Sequence, residues 1–267
     1  MYFASQKPLR TLVADTDMSI KVGVAIGGKR EVHTDDWATF EIDPSLLDGT
    51  GLTLMPENYY QLANPNKMTI SNPNLAIADV KVTFSDAFYE DNAALNKHYA
   101  IPFRLVDHNQ DEISTDVNGN LKDYSIVVVK FVSQYHGTYF VKGKVTNLST
   151  QQVTEYSNKD LSQNMTRDFV SLGRNKVRRP GFPTNSNDSA AGSNVADASV
   201  IATLPPASIL TLPSGLTVRF TESLEFVGKQ PKFTLSYKYT KGGVTYQVDE
   251  ELIRRQNPEA DLRFQEW

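Results

Sequence analysis

Apolar and polar residues alternate with a period of two along much of this chain. Ile20, Val22, Val24 and Ile26 are interleaved with Lys21, Gly23 and Ala25, and Gly27-Gly28 ends the run. Such alternation puts one set of side chains on each face of a strand, and a glycine pair supplies a turn. Val80, Val82 and Phe84 repeat the pattern against Lys81, Thr83 and Ser85. Thr39 to Ile42 predicts a short strand ended by Asp43-Pro44, and Met68 to Ile70 another between two Asn-Pro pairs. Asp91 to Lys97 predicts a helical turn or two, and Asp107 to Asn120 a polar loop. In Tyr99 to Val106, Pro102 interrupts a strand pattern, which predicts an edge strand or a bulge. Ile126 to Phe131 closes this half, beginning with the unbroken apolar run Ile126–Val129. Short strands at this density predict an antiparallel sandwich.

Gln134-Tyr135-His136-Gly137 reads as a corner, a linker of two or three residues, and Thr138 to Val145 as the next strand. Thr166 to Val177 predicts another strand, although Leu161, Met165 and Phe169 also fit helical spacing. Thr184 to Ser199 has hardly a large apolar residue to offset its ordering entropy, so it reads as a mobile loop. Val200 to Leu204 and Ile209 to Leu212 flank a Pro-Pro turn. Leu216, Val218 and Phe220, then Phe233, Leu235, Tyr237 and Tyr239, then Val244, Tyr246 and Val248 form a meander with a hairpin turn at Gly242-Gly243. Closure into a barrel would cover the edges of so long a meander. Asp249 to Gln256 suggests a short helix before the tail DLRFQEW. The fold class is therefore all-β, with domain boundaries at 1–133 and 134–267.

The 267 residues suffice for two domains and carry a formal charge of −4, from 27 basic and 31 acidic residues. That balance argues against nucleic acid as a partner. The absence of cysteine excludes disulfides, thiolate metal sites and cysteine nucleophiles. No apolar run approaches the ~20 residues of a membrane-spanning helix. The start, MYFASQKPLR, lacks a cationic head followed by a long apolar stretch.

Reactive constellations are scarce. His33, His98, His108 and His136 show no zinc-motif spacing, and His136 reads as a structural hydrogen-bonding residue of the corner. Asp107, Asn109 and Asp111 alternate like calcium ligands, but Glu112 and Asn118 stand where an EF-hand needs glycine and glutamate. Gly27-Gly28 lacks the following helix that a phosphate loop needs, and no nucleophile elbow is present. Glu250 and Glu251 read as a solvated face, because adjacent residues point apart. Neither a catalytic residue, a metal site nor a cofactor is expected.

Binding side chains are better supplied. Arg174, Lys176, Arg178 and Arg179 form a basic cluster that could meet an acidic sugar or phosphate, or simply face solvent. Tyr59, Tyr60, Tyr89, Tyr135 and Tyr156 lie in polar, turn-like contexts, and Trp37 lies between acids and a strand. Flat rings with polar tips stack on sugars, though such rings also cap the ends of sandwiches. The candidate ligand-binding set is Trp37, Tyr59, Tyr60, Tyr156, Arg174 and Arg178.

Six segments carry a resemblance in this order: VGVAIGG at 22–28, LMPENYYQL at 54–62, MTIS at 68–71, HYAIPFRL at 98–105, YHGTYFVKG at 135–143 and DLRFQEW at 261–267. Together they resemble an uncharacterised two-domain surface lipoprotein family of Bacteroidetes. The resemblance implies an immunoglobulin-like N-terminal sandwich and a lipocalin-like C-terminal barrel. It also implies a place beside SusC/SusD-type glycan-uptake proteins, at the cell surface and outer membrane or in the periplasm. Membrane attachment would run only through a lipid anchor on a cysteine that this chain lacks. The expected function is non-catalytic glycan binding. The alternatives are a small apolar, lipid-like ligand in the C-terminal barrel, or a structural accessory of an outer-membrane complex.

Overall fold

The computed structural model describes residues 1–267 apart from 17, 29–32, 73, 180–199, 204–209, 212–217, 228–229, 242 and 263–264. Its contacts divide into two units, Met1–Val132 with Arg263–Trp267, and Ser133–Leu262. The class is all-β, as the alternation predicts. The loop expected at Thr184–Ser199 and the Pro-Pro turn lie outside the described residues.

In the first unit the strands are β1 (Pro8–Val13), β2 (Ser19–Ala25), β3 (Trp37–Ile42), β4 (Thr53–Leu54), β5 (Tyr60–Leu62), β6 (Lys67–Ile70), β7 (Ile77–Phe84), β8 (Tyr99–His108) and β9 (Tyr124–Val132). They form one curled sheet, ordered β1-β9-β8-β3-β6-β7-β2, with β4 on β8 and β5 on β7. The sheet wraps around a core that takes Val22 and Val24 from β2, Phe40 from β3, Val80 and Val82 from β7, Ile101 and Phe103 from β8, and Val127, Val129 and Phe131 from β9. Alternation on each strand supplies these inward residues. The expected turns at Asp91–Lys97 are a helix α1 (Asp86–Glu90) and a 3-10 turn at Asn92–Leu95.

The apolar run in β9 has a specific cause. Val127 and Val129 face the inner core, while Ile126 and Val128 join Leu9, Leu47 and Ala100 in a second cluster on the other face. A strand buried on both faces reads as continuous apolar sequence rather than alternation.

Pro102 is not on an edge strand. β8 is central, with β9 along one side from Tyr99 to Arg104. On its other side β4 pairs with Tyr99 and Ala100, and β3 begins at Phe103. Pro102 stands in the gap between those partners, where its missing N–H is not needed. Its carbonyl accepts from the Asp43 amide at 3.0 Å. A bulge does occur on β8, farther along: Thr39 pairs with Asp107 and Phe40 with Leu105, so Val106 is extra and lies exposed.

The second unit contains β10 (Gly137–Asn147), β11 (Val153–Tyr156), β12 (Met165–Gly173), β13 (Lys176–Arg179), β14 (Val200–Thr203), β15 (Leu210–Thr211), β16 (Val218–Val227), β17 (Gln230–Lys241) and β18 (Val244–Arg254). All pair antiparallel in the order β15-β14-β13-β12-β10-β18-β17-β16, with β11 also on β10. Thr166–Val177 is thus a hairpin of two strands, not a helix. Asp249–Gln256 is not a helix either: β18 runs on to Arg254, and the short helix α2 follows at Pro258–Asp261. Inward residues of this unit include Tyr135, Tyr139, Phe169 and Phe233, whose ring centroids lie 4.6–5.8 Å apart in successive contacts. Tyr135 is buried in this cluster, and Tyr89 in the core of the first unit, so neither is a surface ring.

Four residues, Ser133 to His136, separate β9 from β10, rather than two or three. The corner is stitched to β12. Ser171 Oγ accepts from the Ser133 amide at 2.8 Å and lies 3.2 Å from His136 Nδ1. The tail differs from its expected place in the second domain. Its strand β19 (Gln265–Glu266) pairs antiparallel with β1. Trp267 Nε1 donates to the Ile126 carbonyl at 2.9 Å, so the last residues complete the first unit.

Candidate functional site

The site is built on four neighbouring strands of the second unit, β11, β10, β18 and β17. Gly143 of β10 stands in register between Tyr156 of β11 and Glu250 of β18. On β10, Tyr139, Val141 and Val145 are buried, so odd positions face inward and Lys142 and Lys144 face out. On β18, Val248, Glu250 and Leu252 are buried, so Asp249 and Glu251 face out.

Glu250 is therefore an inward acid, 1% exposed, and not the solvated residue that its neighbour Glu251 is. The Tyr156 hydroxyl donates to Glu250 Oε1 at 2.7 Å. That bond crosses two strand spacings, about 10 Å of sheet. It requires a bare position between them, which Gly143 supplies. A Cβ at Gly143 would press on the Asp249 carbonyl oxygen and on Cα and Cγ of Glu250.

On the outward face above this row lies a groove of about 370 Å³. Its floor is Gly143, and Lys142, Lys144, Asp249 and Glu251 stand along it. Glu155, Ser157, Thr234 and Glu250 complete the lining. The charges are matched across strands: Lys142 Nζ lies 3.0 Å and Lys232 Nζ 2.9 Å from Glu251, and Lys144 lies 4.0 Å from Asp249. Partial burial works against the Glu251 carboxylate, but hydrogen bonds from Lys232 and Lys142 outweigh it and hold its pKa below the usual range. The groove thus offers ammonium donors, carboxylate acceptors and hydroxyls on adjoining strands.

The sequence-derived candidates are dispersed. Trp37 lies half-buried on β3 with Lys67 Nζ 4.8 Å from its ring centroid, which covers one face. Tyr59 packs edge-on against Tyr99 at 5.6 Å, and its hydroxyl donates to Asp91 at 3.1 Å. Tyr60 is half-buried opposite Phe84, and burial raises the pKa of its phenol. These three belong to the first unit. Arg174 sits in the turn between β12 and β13; Arg178 pairs in register with Val170 and Ile201, and its side chain lies outside the described residues. Tyr156 alone lies beside the groove, between the rim residues Glu155 and Ser157.

The groove charges were missed as candidates. A signal for them does exist: Lys142-Gly143-Lys144 and Asp249-Glu250-Glu251 have complementary charge at matching spacing. Only pairing of their strands turns that spacing into contact. Among the described residues no group of three His, Cys, Asp or Glu side chains is disposed to hold a metal ion.

Comparison with known proteins gives the fold a context. A family model described as a "-like, N-terminal domain" matches residues 1–112. A protein of unknown function from Bacteroides ovatus is similar over 95% of this chain and 93% of its own, at 19% identity and a TM-score of 0.71. Its fold is the fold described above. Two looser likenesses are a multidomain protein including DUF1735 from Bacteroides ovatus and an auxiliary nutrient binding protein from Bacteroides thetaiotaomicron. The first is 12% identical, with 99% and 96% of the two chains covered and a TM-score of 0.43. The second is 11% identical, with 97% and 95% covered and a TM-score of 0.42. No curated protein matches the chain.

Proposed function

We propose that this is a non-catalytic nutrient-binding protein that holds a glycan in the groove over Gly143. The observation that supports this reading is the chemistry of the groove: ammonium, carboxylate and hydroxyl groups line about 370 Å³ on adjoining strands. Ligand pockets of roughly 300 Å³ and upward take small molecules, and a polyhydroxylated ring suits alternating donors and acceptors. An apolar ligand suits this surface poorly, because it would strip water from charges without replacing their hydrogen bonds. The interior is also a poor host for one where it is described, since Tyr139, Phe169 and Phe233 pack against one another there. In this reading the protein works at the cell surface or in the periplasm beside SusC/SusD-type partners, a placement that rests on the sequence resemblance.

Calorimetry of the whole chain against neutral and acidic polysaccharides tests the proposal. Lys142→Ala and Glu251→Gln should each weaken the bound glycan at least tenfold. Binding indifferent to both would remove the groove from the account, and uniform lack of binding across the panel would overturn glycan recognition itself.

A further inference from the structure

The groove over Gly143 carries its polar groups in stripes that follow the strands. Glu155 of β11 stands in register with Lys144 of β10, and Lys144 with Asp249 of β18. Two residues away on β10, Lys142 stands in register with Glu251 of β18, and Glu251 with Thr234 of β17. The outward stripes therefore run carboxylate on β11, ammonium on β10, carboxylate on β18 and hydroxyl on β17. Lys232, two residues before Thr234, reaches Glu251 from the β17 side at 2.9 Å.

The spacing of these stripes decides which ligand charge they accept. Both lysines of the lining face carboxylates: Lys142 lies 3.0 Å from Glu251, and Lys144 lies 4.0 Å from Asp249 with Glu155 in register on its other side. Hydrogen bonds from Lys232 and Lys142 keep Glu251 ionised at neutral pH. An anionic group on a sugar reaches Lys142 or Lys144 only by standing about one strand spacing, ~4.8 Å, from the acids alongside. Like charges at that distance repel. A hydroxyl meets no such conflict, since its O–H donates to a carboxylate while its oxygen accepts from the neighbouring ammonium. The chain's formal charge of −4 adds repulsion toward any polyanion.

We propose that the groove selects uncharged glycans and rejects those carrying uronate or sulfate groups, with Glu155 as a specificity-determining residue. The inference rests on the reading of the groove as a glycan site and names the class of glycan. Glu155 is exposed at the outer side of the lysine stripe, so it stands where an anionic substituent would otherwise approach Lys144 from solvent. Rejection by a repulsive group is a common source of selectivity where the attractive contacts are shared by both ligands.

The test is calorimetry of the whole chain against polysaccharides in matched pairs: dextran and dextran sulfate, methyl-esterified pectin and polygalacturonate, unsubstituted xylan and glucuronoxylan. Wherever a pair is bound, the neutral member should bind at least tenfold tighter than its acidic twin. Added salt should narrow that gap, because it screens the repulsion. Glu155→Gln should lower the preference at least threefold, and Glu155→Lys at least tenfold. Both changes fall on an exposed side chain, where substitutions seldom disturb folding. An acidic member bound as tightly as its neutral twin would overturn this inference and leave glycan binding standing. A preference unmoved in Glu155→Lys would also overturn it. Lack of binding to every member would overturn the glycan reading itself, and this inference with it.

Discussion

The Tyr99 hydroxyl donates to Asp91 Oδ2 at 2.5 Å, in a corner of the first unit packed by Tyr59 and His98. Tyr59 donates to the same oxygen at 3.1 Å, and the Ala93 amide to the other at 2.8 Å. Desolvation raises the carboxyl's pKa, but the bonds from Tyr99, Ala93 and Tyr59 together outweigh it, and the pKa is lowered. A lowered carboxylate pKa contributes stability that is present above the unfolded value, about 3.9, and is lost as pH falls through the folded value. The first unit should therefore weaken on acidification below about pH 4. Asp91→Asn should flatten that part of the profile, and Tyr99→Phe should cost about 1 kcal/mol at neutral pH. Urea unfolding across a pH series measures both; an unchanged acid limb in Asp91→Asn would refute the assignment.

Trp267 ties the chain's last residue to β9. Its indole N–H bonds Ile126, its ring packs on the outer cluster of Leu9, Ala100 and Val128, and Lys7 Nζ lies 5.3 Å from the ring centroid. Trp267→Ala should destabilise the first unit by about 2 kcal/mol, the scale of a large, partly buried apolar side chain. The second unit should keep its own transition in a denaturation curve that follows each unit separately.

Gly143 and Tyr156 should behave as one device. Gly143→Ala should cost about 1–3 kcal/mol, because the methyl group meets the backbone of β18. Tyr156→Phe should cost about 1–3 kcal/mol by withdrawing a donor from the buried Glu250. The double variant should cost less than the sum, since both changes strike the same row. Strict additivity in a double-mutant cycle would show that the two are unconnected.

The outward charges above that row should matter little to stability. Glu251 and its lysines are partly exposed, and such pairs contribute about 0–1 kcal/mol. Glu251→Gln should shift the unfolding midpoint only slightly while weakening glycan tenfold or more. A large loss of stability instead would mark the network as structural.

Much of the fold was legible in the chain's own pattern. The alternations at Ile20–Ile26, Val80–Phe84, Phe233–Tyr239 and Val244–Val248 are strands because a period of two separates two environments on one ribbon. Asp249–Gln256 misled because its alternation continues in charged and buried residues together, which local spacing cannot distinguish from a polar helix. Pro102 misled because a proline reports a missing N–H partner, and a gap between β3 and β4 satisfies that as well as an edge does.

The sequence by itself determined the class and the strand-rich halves, since these follow from local periodicity and composition. Tertiary structure decided which rows meet. Tyr156 and Glu250 are 94 positions apart, and their bond exists because β10 brings Gly143 between them. Trp267 returns to β9, 141 positions back, for the same kind of reason. Register is set by the summed burial of whole strands, and no local stretch of sequence carries that sum.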